Sequence, residues 1–241
     1  MAFGISDSLI NPVVLSSFAF LIFVLIMVYR TLRSMKITRD KSIRFFLITT
    51  GVLLAWFSAV FILGKIGFFA RNPLFAPNMI FGFLILFHFL RMAYHSKTLQ
   101  TVADAIPTTW IVGIQTYRIV GVGFLILYVQ QQLPAAFAFP AGIGDILVGV
   151  SAPFVAMIYY AKKPYAQKLA IAWNIFGIAD VVVAVGVGIL GFPRPVQFIP
   201  LAPSTEPFSL FPLVIIPLFA VPLATLLHFL SLRVLQHQNP R

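Results

Sequence analysis

Apolar runs of about 20 residues follow one another along the chain, broken by short polar, basic or proline-rich stretches. At a rise of about 1.5 Å per residue, a helix of that length crosses the roughly 30 Å hydrocarbon core of a bilayer. The pattern predicts seven spanning helices, at residues 10–29, 43–63, 75–94, 108–128, 137–160, 169–190 and 211–232. The expected fold is therefore an all-α polytopic bundle, with residues 1–241 forming one seven-helix transmembrane domain.

The polar breaks predict an orientation. With the N-terminus outside, Arg30, Arg33, Lys36, Arg39, Lys41, Arg44, Arg91, Lys97, Lys162, Lys163, Lys168, Arg233 and Arg241 fall on the cytoplasmic side, and only Lys65, Arg71 and Arg194 fall outside. Cytoplasmic loops carry the excess of Lys and Arg, so this asymmetry predicts seven crossings with the C-terminus in the cytoplasm. The break at residues 29–44 holds six basic residues against Asp40, and reads as an orientation signal resting on anionic lipid or as a docking loop for a partner. Residues 191–210 contain Pro193, Pro195, Pro200, Pro203 and Pro207, a composition that suits a stiff extended connector or a cover over the outer mouth of the bundle. Pro212, Pro217 and Pro222 predict a kinked last helix. They also free the carbonyls of Leu213 and Leu218, which a cation, water or a neighbouring side chain would then satisfy.

Composition agrees with a membrane protein. Of 241 residues, 60% are hydrophobic and 10% charged, with a mean hydropathy of +0.99, values that a water-soluble domain does not reach. The formal net charge of +11 does not point to nucleic acid, because the basic residues sit at the ends of apolar runs, next to lipid headgroups. The absence of cysteine rules out disulfides, thiolate metal sites, iron–sulfur clusters and cysteine nucleophiles. The N-terminus lacks the basic region of a signal peptide, so the first apolar run is expected to be retained as a helix.

Against this background, three ionisable residues fall in the middle of consecutive apolar segments: Arg118, Asp145 and Asp180. Each would cost roughly 2.5–3.5 kcal/mol at the centre of a lone spanning helix, on the order of 10 kcal/mol together, comparable with the stability of a whole domain. They are expected to face one another inside the bundle. Gln115 and Arg118 share a helix face that Gly121 continues. In the fifth helix Gly142, Asp145, Gly149 and Ala152 form a small-residue stripe, and in the sixth Asn174, Gly177, Asp180 and Ala184 form another. Residues 142–150 and 177–185 agree at five of nine positions and would lie antiparallel, as a small inverted repeat or as a coincidence of Gly/Val-rich composition. By helical rise, Arg118 and Asp180 lie at mid-bilayer and Asp145 slightly outward, above a neutral layer of Gln115, Asn174 and His228. One guanidinium cannot balance two carboxylates, so a proton is expected to be shared between the aspartates. The group reads either as static interhelical glue or as an exchange site for a proton, ion or small anion.

Other chemistry finds little support. His88 and His228 suggest a haem b site between the third and seventh helices, but each also lies close to basic interfacial residues. His95 and His237 read as ordinary polar residues near the cytoplasmic side. No H-x-x-x-H pair, Walker A sequence, G-x-S-x-G elbow or Schiff-base lysine in the last helix is present, and no catalytic or metal-ligating set is predicted.

The segments Pro140-Ala-Gly-Ile-Gly-Asp145, Trp173-Asn174-Ile-Phe-Gly177-Ile-Ala-Asp180 and Pro217-Leu-Phe-Ala-Val-Pro222, followed by His228, resemble an uncharacterised group of bacterial seven-helix membrane proteins. That resemblance covers the second half of the chain and implies a bacterial inner-membrane location without an activity. The seven-helix topology with the N-terminus outside is also similar to that of the SWEET sugar transporters, whose paired Pro-Gln motifs are missing here. The expected function is a small, proton-linked secondary transporter or permease. Arg118, Asp145 and Asp180 would form its centre, and Gln115, Asn174 and His228 would line the inner half of the path. The alternative is a non-transporting binding protein: a receptor-like or accessory subunit, or a haem carrier. The partners implied are the lipid bilayer and a small-molecule or ion substrate.

Overall fold

A computed structural model of the chain describes residues 7–71, 77–193 and 198–237. Its described residues are helical or irregular, with no strand among them. The helices are α1 (Asp7–Ser34), α2 (Arg39–Lys65), a single turn α3 (Phe68–Arg71), α4 (Pro77–His95), α5 (Lys97–Ala105), α6 (Thr108–Gly113), α7 (Val122–Val129), α8 (Ala135–Tyr160), α9 (Ala166–Leu190) and α10 (Val221–His237). A 3-10 segment, Ile114–Gly121, joins α6 to α7, and a π-helical segment, Ile216–Ala220, leads into α10.

Six of these stretches are long and apolar enough to cross a bilayer: Pro12–Ser34, Arg39–Lys65, Thr108–Val129, Ala135–Tyr160, Ala166–Leu190 and Ile216–Gln236. This corrects the expected count of seven. The third predicted helix is present as α4, but its described apolar stretch, Gly82–Met92, is too short to qualify. Phe75, its expected first residue, lies outside the described residues, as do Arg194, Pro195 and Arg241.

Trp56, Phe57 and Phe219 meet edge to face at 5.0 Å ring separations and join α2 to the π segment, with Phe20, Leu21, Val214 and Leu223 packed around them. A second cluster, Phe124, Phe137 and Phe208, joins α7 and α8 to the segment before the last helix. Two elements depart from expectation. Residues 95–107, read as a connection, contain α5, capped at its start by the Ser96 hydroxyl, which accepts the Leu99 N–H at 3.3 Å. Its Val102 is buried among Val28 and Leu32 of α1.

The described part of the proline-rich loop is not an extended connector. Thr205 is fully buried and donates to the Gly188 carbonyl at 2.7 Å, and Phe208 is wedged between Phe124 and Phe137. The last spanning helix begins at Ile216, not Phe211, and Pro217 brings no N–H to the Leu213 carbonyl that a helix from Phe211 would need. Its freed carbonyls are occupied by the protein itself. Trp56 Nε1 donates to Leu218 O at 2.9 Å, and the Ile216 N–H donates to Leu213 O at 3.0 Å.

Candidate functional site

The position of Arg118 follows from the local winding of its segment. In a 3-10 helix, side chains three residues apart eclipse, whereas in an α-helix they drift round the axis. The tight winding of Ile114–Gly121 therefore lines up Gln115, Arg118 and Gly121, which are the three buried residues of that segment. The Thr116 hydroxyl donates back to the Gly113 carbonyl at 2.7 Å, at the entry to this stretch. The small-residue face of α8 packs directly on it. A Cβ on Gly149 would come within 2.6 Å of the Ile119 nitrogen, and one on Gly121 would overlap Asp145. Of the expected stripe, Gly142 and Gly149 are buried against this segment, and Ala152 is buried in a cluster with Val112 and Trp173.

The close approach brings the three ionised groups together. Arg118 is 4% exposed, and its Nε donates to Asp145 Oδ1 at 2.6 Å. Nη2 donates to Asp180 Oδ2. Nη1 donates to the Gly177 carbonyl at 3.4 Å and stands 3.3 Å from His228 Nε2. A guanidinium has only N–H groups to offer, so His228 Nε2 is the acceptor and the ring proton sits on Nδ1. That proton is donated to Asn174 Oδ1 at 2.9 Å. Asn174 Nδ2 in turn donates to the Ala170 carbonyl at 2.7 Å and to Ser231 Oγ at 3.0 Å. A continuous polar line thus runs from the two carboxylates through Arg118, His228 and Asn174 to Ser231, linking the 3-10 segment, α8, α9 and α10.

Gln115 is fully buried beside this line. Its Nε2 donates to Ala224 O at 3.0 Å, and its Oε1 has no hydrogen-bond partner among the described residues. Two small cavities reach the charged centre. One, of about 50 Å³, is bordered by Ser16, Ser17, Tyr117, Arg118 and Asp145, and a second, of about 40 Å³, by Arg118, Asp145, Ala184 and Phe208. Asp145 keeps 21% side-chain exposure against 6% for Asp180, so the two acids are not equivalent. Both cavities also touch Phe124, and their other walls include Val13, Leu127, Leu213 and Phe137, all at the end of the bundle that carries the start of α1.

Gln115, Asn174 and His228, expected to line a path, border neither cavity and are at most 1% exposed. Gln115 and Asn174 donate to helix carbonyls, and His228 is bonded to Asn174. His88, the other residue considered for haem, is exposed and meets the Phe89 ring edge to face at 6.3 Å. Both ring nitrogens of His228 already face polar partners, so an iron bond there would displace one of them.

Sequence reasoning missed several members of the site. Ser231, one helical turn after His228, shares its face, and that spacing was a usable signal. Tyr117 was hidden by its neighbour. Its hydroxyl donates to Ala220 O at 3.3 Å, and its ring stacks on Phe20 at 3.9 Å. Trp173 covers His228 at a 5.3 Å ring separation and donates to Ser151 Oγ at 2.8 Å. Gly144 was passed over as well, although a Cβ there would overlap the Asp180 carboxylate. The inverted repeat of residues 142–150 and 177–185 is not repeated in the contacts: Asp145 faces Gly121, Asp180 faces Gly144, and Gly177 faces His228.

A model of the family described as Domain of unknown function (DUF8737) matches residues 74–236, more than half of the chain, and the chain belongs to that family. Every residue of the polar line lies within the matched region, whereas α1 and α2 precede it. No curated protein and no solved structure matches the chain.

Proposed function

We propose, with membership in this family of undefined function as the premise, that the chain is a proton-linked secondary transporter or permease of the bacterial inner membrane. Its exchange centre is Arg118 with Asp145 and Asp180. The observation that carries the reading is one guanidinium held between two carboxyls of unequal access, Asp145 beside the cavities and Asp180 beneath Gly144. One positive charge between two acids leaves a place for one proton, and protonating either acid frees part of the guanidinium to engage a substrate anion or the remaining carboxylate. The cavities are on the scale of water molecules, while His228, Asn174 and Ser231 seal the other side, as expected of a conformation open to one face only.

In this reading α4 completes a seventh crossing, and the N-terminus lies outside. Gly82 supports that course, since a Cβ there would meet Pro217 O at 2.5 Å and Pro222 Cγ at 3.1 Å, while Phe89, two turns on, reaches Trp56 at a 5.5 Å ring separation.

The test is uptake of a panel of organic anions, sugars and amino acids into vesicles holding the purified protein, under an inward proton gradient. A compound whose uptake follows the gradient and is lost in Asp180→Asn, with the variant still folded, is the expected result. No uptake of any compound, together with Asp145 and Asp180 variants that lose thermal stability and change nothing else, would remove the transport reading. It would leave the static one, a receptor-like or accessory subunit, which the closed bonding of His228 and Asn174 favours. A Soret band in the purified protein, lost in His228→Gln, would point instead to haem.

A further inference from the structure

A wide apolar opening lies away from Arg118. A cleft of about 330 Å³ separates the α1–α2 hairpin from α4, α5 and α10, with Val24, Leu53, Phe89, Val102 and Leu227 among its walls. The two cavities at the charged centre are only about 50 and 40 Å³, whereas pockets that hold small molecules run from about 300 to 1,000 Å³. Its lining is almost wholly apolar, with Thr49, Ser96 and Thr98 as the hydroxyl-bearing exceptions.

Two features identify the occupant. Ile48, Val52 and Met92 border the cleft and are exposed, so it opens sideways through apolar side chains, toward hydrocarbon once the helices are in a bilayer. Basic residues adjoin its lining in the sequence. Arg44 directly precedes the lining residue Phe45, Arg91 precedes Met92, and Lys97 stands between Ser96 and Thr98. All three are exposed, and the ion pairs among the described residues involve Arg118 and Arg233 instead. Of the acids nearby, Asp104 is held by Arg233 through two bonds at 3.1 and 3.3 Å, which leaves Asp40 to offset the three cations. An apolar slot open to the bilayer, with exposed guanidinium and ammonium groups one residue from its lining, matches a molecule with a hydrocarbon tail and an anionic head.

We propose that this cleft is a binding site for an anionic phospholipid, with one acyl chain between the α1–α2 hairpin and helices α4 and α10 and its phosphate at Arg44, Arg91 and Lys97. The site joins the hairpin, which precedes the family-matched region, to the helices within it. It does not depend on the transport reading.

The test uses the full chain, purified in detergent and stripped of lipid, and follows retained lipid by native mass spectrometry and the melting temperature. Phosphatidylglycerol and phosphatidylcholine with identical acyl chains are compared, with glycerol 3-phosphate as the free headgroup. The expected result is retention of one phosphatidylglycerol per chain with a rise in melting temperature, at least tenfold weaker retention of phosphatidylcholine, and no effect of glycerol 3-phosphate. Arg44→Gln, Arg91→Gln and Lys97→Gln combined should bring the anionic lipid down to the level of phosphatidylcholine, roughly fivefold for each charge removed. Ala103→Phe, which fills the cleft, should weaken both lipids; if that variant does not fold, the charge variants decide. Equal retention of the two lipids, an anionic preference that survives the triple substitution, or stabilisation by glycerol 3-phosphate alone would each overturn the proposal.

Discussion

Arg118 contributes one cation to two acids, one backbone carbonyl and one imidazole, a set of contacts that only a planar fork of N–H groups can serve. Removing it leaves two carboxyls without their cation, and breaking a buried ion pair in this way costs about 3–5 kcal/mol. Arg118→Leu should therefore unfold at a markedly lower temperature than the parent in the same detergent. Adding Asp145→Asn and Asp180→Asn to it should recover much of that loss, because a neutral set of similar volume carries no uncompensated charge. Glycines offer a second residue-scale test. Gly144→Ala pushes a methyl group into the Asp180 carboxylate and should cost about 1–3 kcal/mol, read as a drop in melting temperature. Gly123→Ala and Gly186→Ala, with nothing within 4 Å of the added carbon, should be neutral or slightly stabilising. Much of the chemistry at this scale was legible. A charge in the middle of an apolar run must find a partner, and Gln115, Arg118 and Gly121 announce a common face by their spacing. Gly144 was not legible, because its role is set by a carboxylate on another helix.

At the scale of elements, two departures from α geometry shape the centre. The 3-10 winding of Ile114–Gly121 aims Gln115 and Arg118 the same way, and the π winding of Ile216–Ala220 follows from prolines five residues apart. Pro222 brings no N–H to Leu218 O, and Trp56 supplies one in its place. Trp56→Phe would keep the ring contacts and strand that carbonyl in a dry core. A loss of about 1–3 kcal/mol in a denaturation series is expected, with faster hydrogen exchange along residues 216–224. The kink could be read from the prolines. What fills the freed carbonyls could not, since Trp56 lies 162 residues away in the chain. For the same reason the loop at residues 191–210 reads as a connector: the hold of its described part on the bundle comes from Phe208 between two distant phenylalanines.

For the whole molecule, the proposed crossing by α4 has a direct test, because the chain has no cysteine of its own. Single substitutions Lys36→Cys, Gln130→Cys and Lys163→Cys place thiols at exposed positions between spanning helices. If α4 crosses, a membrane-impermeant maleimide should label Lys36→Cys and Lys163→Cys from one side and Gln130→Cys from the other. If α4 does not cross, Lys36→Cys and Gln130→Cys will share a side, and the inferred orientation of the second half is reversed.

The chain by itself determined that the protein is helical and membrane-compatible, with a polar centre near Arg118, Asp145 and Asp180. Length of apolar run and the cost of a charge in hydrocarbon are local quantities, which each segment carries without reference to the rest. Only the tertiary structure decided that the two acids differ in exposure, that His228 and Asn174 are bonded to one another beside Arg118, and that an apolar cleft lies elsewhere. Those depend on which faces meet and how closely, and close approach is a property of pairs of helices that no single segment encodes.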